Sequence, residues 1–442
     1  MSFPQGLSAR AWLDAHVNLE TGVGVPAPAR ERGAPTLERI STLLQYLGSP
    51  QLEYPAVHLT GTNGKTTTTR MISELLVTVG NTVGAYTSPH LQRVNERMVR
   101  NDEPISDEEL DEQLRVVALV ERELSLDPSY FEVVTGAALR WFADVAVDVA
   151  VVEVGLGGTW DATNVIDAEV AVVTNVSLDH MQYLGSTSEQ IAAEKAGIVK
   201  PGSTLVLGET DPDLAAFFEQ HGAARILRRD ADFGVRSNVP AVGGRMLELF
   251  TPGGRYPDLF VPLYGAHQGD NAAVALAAAE VFMGAPLDPD AVYDAFTRVR
   301  SPGRLEIVGR HPLVLLDGAH NVAGAEALRD ALADEFPPAP RTLVIGLLRE
   351  KDPREMLTAL GLDDAAQLVC ARPPNPRALD PQLIADAAVD LGFPADHIEV
   401  VDEVGHAVSS ALLSTPEDGE IIITGSLYFV GAARGMLVDA RR

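Results

Sequence analysis

Short apolar runs alternate with amphipathic segments along most of the chain. An apolar run at residues 56–59 ends at Gly61, and the segment that follows carries apolar residues at helical spacing from Met71 to Val79. The same order recurs after three further apolar runs, at residues 82–87, 147–154 and 169–175. Near-continuous apolar strands separated by helices are typical of parallel sheets covered on both faces. The pattern predicts an α/β fold built on a doubly wound, mostly parallel sheet.

Strand and helix patterns alternate again in the last third of the chain. The segment SPGR at residues 301–304 has the composition of a linker, and the apolar run in LVLLDGAHN at residues 313–321 is predicted to be the first strand after it. We therefore predict a large N-terminal domain at residues 1–300 and a smaller Rossmann-like α/β domain at residues 301–442. Residues 203–260 are less regular and indicate short strands or an inserted β-region.

The most specific motif is GTNGKTT at residues 61–67, between a predicted strand and a predicted helix. Backbone N–H groups of such a loop and the helix N-terminus face an anion, the Lys65 ammonium neutralises it, and a hydroxyl can hold Mg²⁺. The general pattern G-x-x-x-x-G-K-[ST] is incomplete, because Leu59 stands where its first glycine belongs. The alternative, a Gly-rich turn with a surface lysine, is disfavoured because the strand and the helix supply the context that a phosphate loop needs.

Polar residues follow several of the predicted strands. Lys65, Ser88, Glu153 and His180 each lie at or just after the end of a different apolar run. Ligands of parallel sheets bind beyond the carboxyl ends of the strands, so these four residues predict one Mg²⁺–ATP site. Glu153 is the strongest member, since a carboxylate inside VVEVGLGG would be buried and needs a cation. Taken alone, His180 is typical of a hydrogen-bonded structural histidine.

Two more segments carry candidate chemistry that the local pattern leaves open. Lys195 lies in AAEKAG, where a solvated lysine is the ordinary interpretation, and Ser186 with Glu189 predicts a capping box for its helix at residues 189–200. In the smaller domain, LLDGAHN ends a strand with Asp317, His320 and Asn321, and Arg304 precedes that strand. Residues at this edge of a sheet are candidates for nucleotide contacts.

Charge and cysteine content exclude several classes of protein. The net charge of -28 argues against a nucleic-acid or anionic-membrane binding protein, although a local basic pocket can still bind an anionic substrate. Cys370 is the only cysteine, so no intramolecular disulfide forms. The N-terminal residues do not have the pattern of a signal peptide, and no apolar run is long enough to span a bilayer. We expect a soluble, cytoplasmic, monomeric protein.

Several motifs together resemble folylpolyglutamate synthase/dihydrofolate synthase, a family of the Mur ligase superfamily. They are HLTGTNGKTT, YTSPHL, FEVVTGAAL, EVGLGGTWDATN, SLDHMQYLG, IAAEKAGI, HQGDNAAVA, SPGRLE, LLDGAHN and TGSLYFVGAAR, in that order over residues 36–435. The resemblance implies an ATP-dependent ligase that adds L-glutamate to folate and to dihydropteroate through an acyl phosphate. It implies ATP, Mg²⁺ at two sites and a carbamylated Lys195 as cofactors.

The resemblance also implies roles for individual residues. The ATP phosphates would be bound by Gly61, Thr62, Asn63, Gly64, Lys65, Thr66 and Thr67, and magnesium by Thr66, Ser88, Glu153 and His180. The rest of the nucleotide would be contacted by Asn271, Arg304 and Asp317. His320 would lie near the γ-phosphate or the acyl intermediate and act with Lys65 and Lys195 in catalysis. The pterin site would be lined by Phe131, Glu132, Trp160, Asp161 and Ala162, with the loop ahead of Thr36 closing over it.

The chain departs from the family pattern at two places. Thr66-Thr67 replaces the usual Gly-Ser, as in cell-wall Mur ligases, and Thr159-Trp160 replaces Arg-Leu. The first departure leaves open which threonine serves Mg²⁺, and the loss of a cation at the second weakens any inference about substrate preference. The alternatives are a cell-wall Mur ligase that adds an amino acid to a UDP-muramyl precursor, and a non-catalytic nucleotide-binding regulator. The candidate catalytic and metal-binding residues are intact, which speaks against the regulator: Ser88, Glu153, His180, Lys195 and His320.

Overall fold

The computed structural model describes residues 7–18, 20 and 37–438. The chain packs into two compact units. The first comprises Met1–Asn238, Met246–Val261 and Gly269–Val299, and the second Val239–Arg245, Pro262–Gln268 and Arg300–Arg442. Two short segments before residue 300 thus pack with the second unit, which the sequence-based division at residue 300 did not anticipate. Hydrophobic patterning does not show which core a connecting segment joins.

The first unit is built around an eight-stranded sheet of order β4-β3-β2-β5-β1-β6-β7-β8. Strands β2, β5, β1, β6, β7 and β8 are parallel, and β3 and β4 add an antiparallel edge. This confirms the predicted mostly parallel sheet. The strands are β1 (Ala56–Thr60), β2 (Val83–Tyr86), β3 (Met98–Arg100), β4 (Glu103–Pro104), β5 (Val149–Glu153), β6 (Val170–Val173), β7 (Thr204–Leu207) and β8 (Arg225–Arg228).

Helices cover both faces of this sheet, as the near-continuous apolar strands require. The helices up to residue 298 are α1 (Ala9–Asp14), α2 (Glu38–Tyr46), α3 (Lys65–Thr78), α4 (Asp107–Leu124), α5 (Tyr130–Asp144), α6 (Met181–Leu184), α7 (Ser188–Ala196), α8 (Pro212–Glu219), α9 (His267–Met283) and α10 (Pro289–Arg298). Helices α2, α4 and α5 share one apolar core with Ala56, Ala150 and Val152, whereas α3 packs against β2 and β5 outside that core. The doubly wound arrangement is confirmed.

The irregular region at residues 203–260 contains the expected β-structure. Strands β9 (Gly234–Ala241), β10 (Gly244–Thr251) and β11 (Gly254–Val261) form a separate sheet of order β11-β10-β9. Buried and partly buried residues alternate along β10, so one face of this sheet is covered more completely than the other.

The second unit contains a six-stranded sheet of order β12-β13-β17-β14-β15-β16. All neighbours are parallel except β12 and β13. The strands are β12 (Glu306–Arg310), β13 (Leu313–Leu316), β14 (Arg341–Ile345), β15 (Ala365–Ala371), β16 (Ile398–Val401) and β17 (Glu420–Thr424). The helices are α11 (Val322–Glu335), α12 (Pro353–Ala359), α13 (Pro381–Asp390), α14 (Val404–Ser414) and α15 (Leu427–Val438).

Two local predictions are wrong. The cap of α7 is Thr187, whose side chain accepts a hydrogen bond from the Gln190 N–H, rather than Ser186. Both residues have a hydroxyl, and only the backbone path decides which one precedes the first helical turn. In the second unit β12 precedes β13, so LVLLDGAHN ends the second strand and not the first. The half-buried β12 lacks the continuous apolar run that identified the other strands.

Candidate active site

The phosphate-loop motif connects β1 to α3. Gly64 is the N-cap of α3 in a left-handed conformation, with a φ of 83°, and this glycine has no side chain that could cap the helix. The first N–H groups of a helix have no partner within the helix, so an uncapped N-terminus can bind an anion. The Lys65 Nζ donates to the carbonyl oxygens of Gly61 at 2.9 Å and Thr62 at 3.2 Å, which holds the ammonium over the same loop.

Residues that follow β6 hold the loop in shape. The Asn63 N–H donates to the Asn175 Oδ1 at 3.0 Å, and the Thr174 hydroxyl donates to the Asn63 carbonyl at 2.7 Å. A Cβ at Gly61 would lie 1.8 Å from the Thr174 Oγ1, so only glycine fits there. Thr174 and Asn175 were not predicted from the sequence, although both lie directly after the end of β6, where ligands of a parallel sheet bind.

Predicted magnesium ligands at the ends of three neighbouring strands lie next to one another, with Glu153 at their centre. Its carboxylate is 1% exposed and accepts a hydrogen bond from the Thr66 hydroxyl, at 3.0 and 2.9 Å from its two oxygens. The backbone N–H of Ser88, which follows β2, lies 3.4 Å from the same carboxylate. The structure therefore brings Lys65, Thr66, Ser88 and Glu153 to one edge of the sheet. Lys65, Ser88 and Glu153 are three of the four residues of the strand-end prediction, and His180, the fourth, follows β6.

Lys195 is buried at the end of α7 rather than solvated. Its side chain is 3% exposed in the folded chain. Burial, and then the charge of Lys65, hold the pKa of Lys195 well below its ordinary value, whereas Asp179 acts in the opposite direction. His180 follows Asp179 with a φ of 49°, and its Nε2 lies 3.9 Å from the Asp179 carboxylate. Asp179, which the sequence analysis did not assign, thus lies among the candidate catalytic groups.

Asn271 lies on α9 against the phosphate loop. Its Oδ1 is 3.5 Å from the Thr68 hydroxyl, and a Cβ at Gly64 would approach that Oδ1 to 2.4 Å. This contact places Asn271 beside the N-terminus of α3, the position from which the resemblance predicts a nucleotide contact.

The residues predicted to line the pterin site form two groups. Phe131 packs on the backbone of Gly155, where a Cβ would lie 2.5 Å from the Phe131 ring. Asp161 and Ala162 are buried in the segment after β5, and Trp160 is partly exposed beside them. The loop ahead of Thr36 lies outside the described residues.

The Glu132 carboxylate caps a helix and forms an ion pair. It accepts a hydrogen bond from the Ser129 N–H at 2.7 Å in the capping box of α5, and it pairs with the Arg39 guanidinium at 2.9 Å. A contact with substrate would compete with these bonds.

The second unit arranges its candidates around the end of β13. The Asp317 carboxylate accepts hydrogen bonds from the N–H groups of Leu305 at 2.9 Å and Ala319 at 2.8 Å. Burial raises the pKa of Asp317, and the Arg304 charge acts in the opposite direction. The His320 Nδ1 lies 2.8 Å from the Gly318 carbonyl.

Comparison with known proteins identifies related chains. The Mur ligase middle domain model matches residues 127–279, and the Mur ligase, glutamate ligase domain model matches residues 303–427. A Mycobacterium tuberculosis protein named dihydrofolate synthase/folylpolyglutamate synthase is 40% identical over 439 residues, covering 90% of this chain and 89% of the relative. Folylpolyglutamate synthase of Lacticaseibacillus casei is 36% identical, covering 91% of this chain and 94% of its own.

Solved structures agree with these relatives. Mycobacterium tuberculosis folylpolyglutamate synthase complexed with ADP has a TM-score of 0.86 at 41% identity, covering 91% of this chain and 94% of that chain. Escherichia coli FolC in complex with DHPP and ADP has a TM-score of 0.85 at 30% identity, covering 99% of both chains. Within the described part of the chain, no helix is both long and apolar enough to cross a membrane.

Proposed function

Because the chain belongs to the folylpolyglutamate synthase/dihydrofolate synthase family of Mur ligases, we propose that it joins L-glutamate to folate and to dihydropteroate. It is an ATP-dependent ligase that forms an amide bond. The observation that carries the proposal is the uncapped N-terminus of α3 next to the buried Glu153, with Thr66 and Ser88 against its carboxylate.

The reaction starts at the γ-phosphate of ATP. A carboxylate of the acid substrate attacks the γ-phosphorus and displaces ADP, which gives an acyl phosphate. The Lys65 ammonium and the N–H groups at the start of α3 stabilise the negative charge on the transferring phosphoryl group. The amine of L-glutamate then attacks the acyl carbon, loses a proton and releases phosphate.

The chemistry of the donor set fits magnesium. Thr66, Ser88 and Glu153 offer only oxygen atoms, which Mg²⁺ prefers, and the buried Glu153 carboxylate needs a cation. These residues would hold the ion together with His180, although an imidazole is an unusual Mg²⁺ ligand. Bound Mg²⁺ neutralises charge on the phosphate oxygens. Occupation of two magnesium sites stays a prediction.

Carbamylation of Lys195 is supported by its environment. A neutral amine reacts with CO₂ to give a carbamate and a proton, and burial favours the neutral amine of Lys195. The carbamate would place an anion near Lys65, where an ammonium would instead form an unfavourable pair of like charges. We propose that this anion helps to organise the cationic side of the site.

Asn271, Arg304 and Asp317 are proposed to contact the nucleotide, and His320 is proposed to act near the acyl phosphate. Phe131, Trp160, Asp161 and Ala162 are proposed to contact the pterin, with Glu132 acting through the end of α5. A cytoplasmic location and a monomeric state stay predictions.

A coupled assay tests the function. Release of ADP is measured with L-glutamate and either dihydropteroate, a reduced folate or a UDP-muramyl precursor. We expect glutamate-dependent release with the two pteroyl acids and none with the muramyl precursor; the reverse result would refute the folate assignment. Lys195→Ala should reduce turnover strongly, and the wild type should lose activity when bicarbonate is removed. Full activity of Lys195→Ala would exclude the carbamate.

A further inference from the structure

Strand β1 carries two polar side chains on one of its faces. His58 and Thr60 are two residues apart and therefore point to the same side of the sheet. Both are 0% exposed, and the remaining three residues of β1 are apolar. The Thr60 hydroxyl donates to the Gly157 carbonyl at 2.7 Å, and the His58 Nε2 lies 2.8 Å from the Thr163 Oγ1. Both contacts reach the segment that follows β5.

The hydrogen bonds of this group have one consistent direction. The Thr163 hydroxyl donates its only hydrogen to the Asp161 Oδ1 at 2.5 Å, so its oxygen must accept from His58. His58 must then carry its hydrogen on Nε2. Burial, and then the charge of Lys200, lower the pKa of His58 to about 3, so the ring is neutral and has one N–H. A chain of donors runs from His58 through Thr163 to Asp161.

The Asp161 carboxylate connects this chain of hydrogen bonds to the backbone. Its Oδ1 also accepts from the Thr163 N–H at 3.0 Å, and its Oδ2 accepts from the Leu156 N–H at 2.9 Å. The carboxylate is 3% exposed, so its orientation is determined by these bonds rather than by water. Both ends of the segment 155–163 are therefore tied to one carboxylate, and that carboxylate is tied to β1.

We propose that His58, Thr60 and Thr163 are positioning residues that hold the segment 155–163 in register with β1. The loop that binds the ATP phosphates begins at the end of the same strand, so one strand sets the position of both substrates. This inference rests on the proposed function, because Trp160, Asp161 and Ala162 are assigned to the acid substrate. None of the three positioning residues is required to touch a substrate.

Four variants test the proposal by steady-state kinetics. His58→Leu and Thr163→Val remove a link of the chain, whereas His58→Gln keeps an N–H donor. Val57→Ala is the control, since Val57 is buried on the opposite face of β1. A lost hydrogen bond of about 1.4 kcal/mol corresponds to tenfold. We therefore expect the KM for dihydropteroate to rise about tenfold in His58→Leu and Thr163→Val, with the KM for ATP changed less than about twofold.

The control variants complete the kinetic test. His58→Gln should restore the KM for dihydropteroate to within about threefold of the wild type, and Val57→Ala should leave both KM values unchanged. Equal increases of the two KM values in His58→Leu, or an unchanged KM for dihydropteroate in both chain-breaking variants, would overturn the proposal.

Hydrogen exchange gives a readout that does not require turnover. The amides of Leu156 and Thr163 donate to Asp161, so both should exchange about tenfold faster in His58→Leu and Thr163→Val but not in Val57→Ala. Unchanged exchange would refute the positioning role. If the wild type turned over no pteroyl acid, the proposed function would fail, and the exchange result would still decide whether His58 and Thr163 hold this segment.

Discussion

Two strand-to-helix connections of the chain differ in how the N-terminus of the following helix is capped. Between β1 and α3 the N-cap is Gly64, which has no side chain that could cap the helix. Between β13 and α11 the N-cap is Asn321, whose Oδ1 accepts from the Gly324 N–H at 2.8 Å. Both connections follow a largely buried strand that has a parallel neighbour, and both carry residues assigned to the nucleotide from the sequence.

The difference lies in what each connection offers to a ligand. An uncapped helix beside Lys65 presents N–H groups and a positive charge, which suits phosphate. At α11 the cap uses one of these N–H groups, so we infer that ligand chemistry there depends on side chains such as Asp317 and His320. A position at the end of a strand is therefore insufficient to predict an anion site; the state of the following helix N-terminus also matters.

Removal of the Lys65 ammonium should have the largest effect. Lys65→Ala is expected to lower kcat/KM for ATP by about 10²–10³-fold, because a preorganised charge facing the transferred phosphoryl group is lost. Glutamate-dependent ADP release measures the effect. Lys351→Ala, in the second unit, is the matched control and should retain wild-type activity. Retention of more than about a third of the activity by Lys65→Ala would contradict the anion-site interpretation.

A lower pH should destabilise strand β1 more than strand β13. Burial lowers the pKa of His58 to about 3, whereas β13, with the sequence LVLL, has no ionisable side chain. Below pH 6.5 the unfolded chain binds a proton that the folded chain excludes, so stability falls as the pH falls towards 3. Between pH 6.5 and 5 the loss is about 2 kcal/mol.

Hydrogen exchange of the strand amides, corrected for the intrinsic rate, tests this pH dependence. Amides of β1 should lose protection between pH 6.5 and 5, and those of β13 should lose less. Burial lowers the pKa of His90 in the first unit and of His267 in the second unit to about 4, so each adds a smaller loss to its own unit. His58→Gln removes one titrating group, so an unchanged pH profile in that variant would argue against His58 as the cause.

A Cβ at the uncapped helix should interfere with phosphate binding. Gly64→Ala combines a φ of 83° with an approach of 2.4 Å to the Asn271 Oδ1, and we expect the KM for ATP to rise about tenfold, or about 1.4 kcal/mol. Gly80→Ala is the matched control, because Gly80 follows the same helix with a φ of 98° and nothing lies within 4 Å of its Cβ. Equal effects of the two substitutions on the KM would show that strain, rather than the contact with Asn271, is responsible.

Removal of the side-chain cap should have the smallest effect on activity. Asn321→Ala is expected to lower the free energy of unfolding by about 1 kcal/mol, because the Gly324 N–H loses its partner. Thermal or urea unfolding measures this loss, and Asn321→Asp should restore most of it. The KM for ATP should change less than about twofold; a large increase would mean that Asn321 contacts the nucleotide and that the two connections are less different than their caps suggest.

The amino-acid sequence determined the elements whose signals are local. The apolar run before Gly61, the glycines of the loop and the helical spacing after Lys65 predicted β1, the loop and α3, and the structure confirms them. Glu153 was predicted as a buried carboxylate for the same reason, since its apolar neighbours in the chain require burial. Such features depend on residues that are close in sequence, where propensity and periodicity act directly.

Tertiary structure decided everything that depends on partners distant in the chain. Lys195 has the sequence context of a solvated lysine, yet the fold buries it near Lys65 and lowers its pKa. His58 is one residue of an apolar run, and only the packing of a segment about a hundred residues later gives it a hydrogen-bond partner. Desolvation and hydrogen bonding act through space, so the protonation states and orientations that they set become visible only when the strands are assembled.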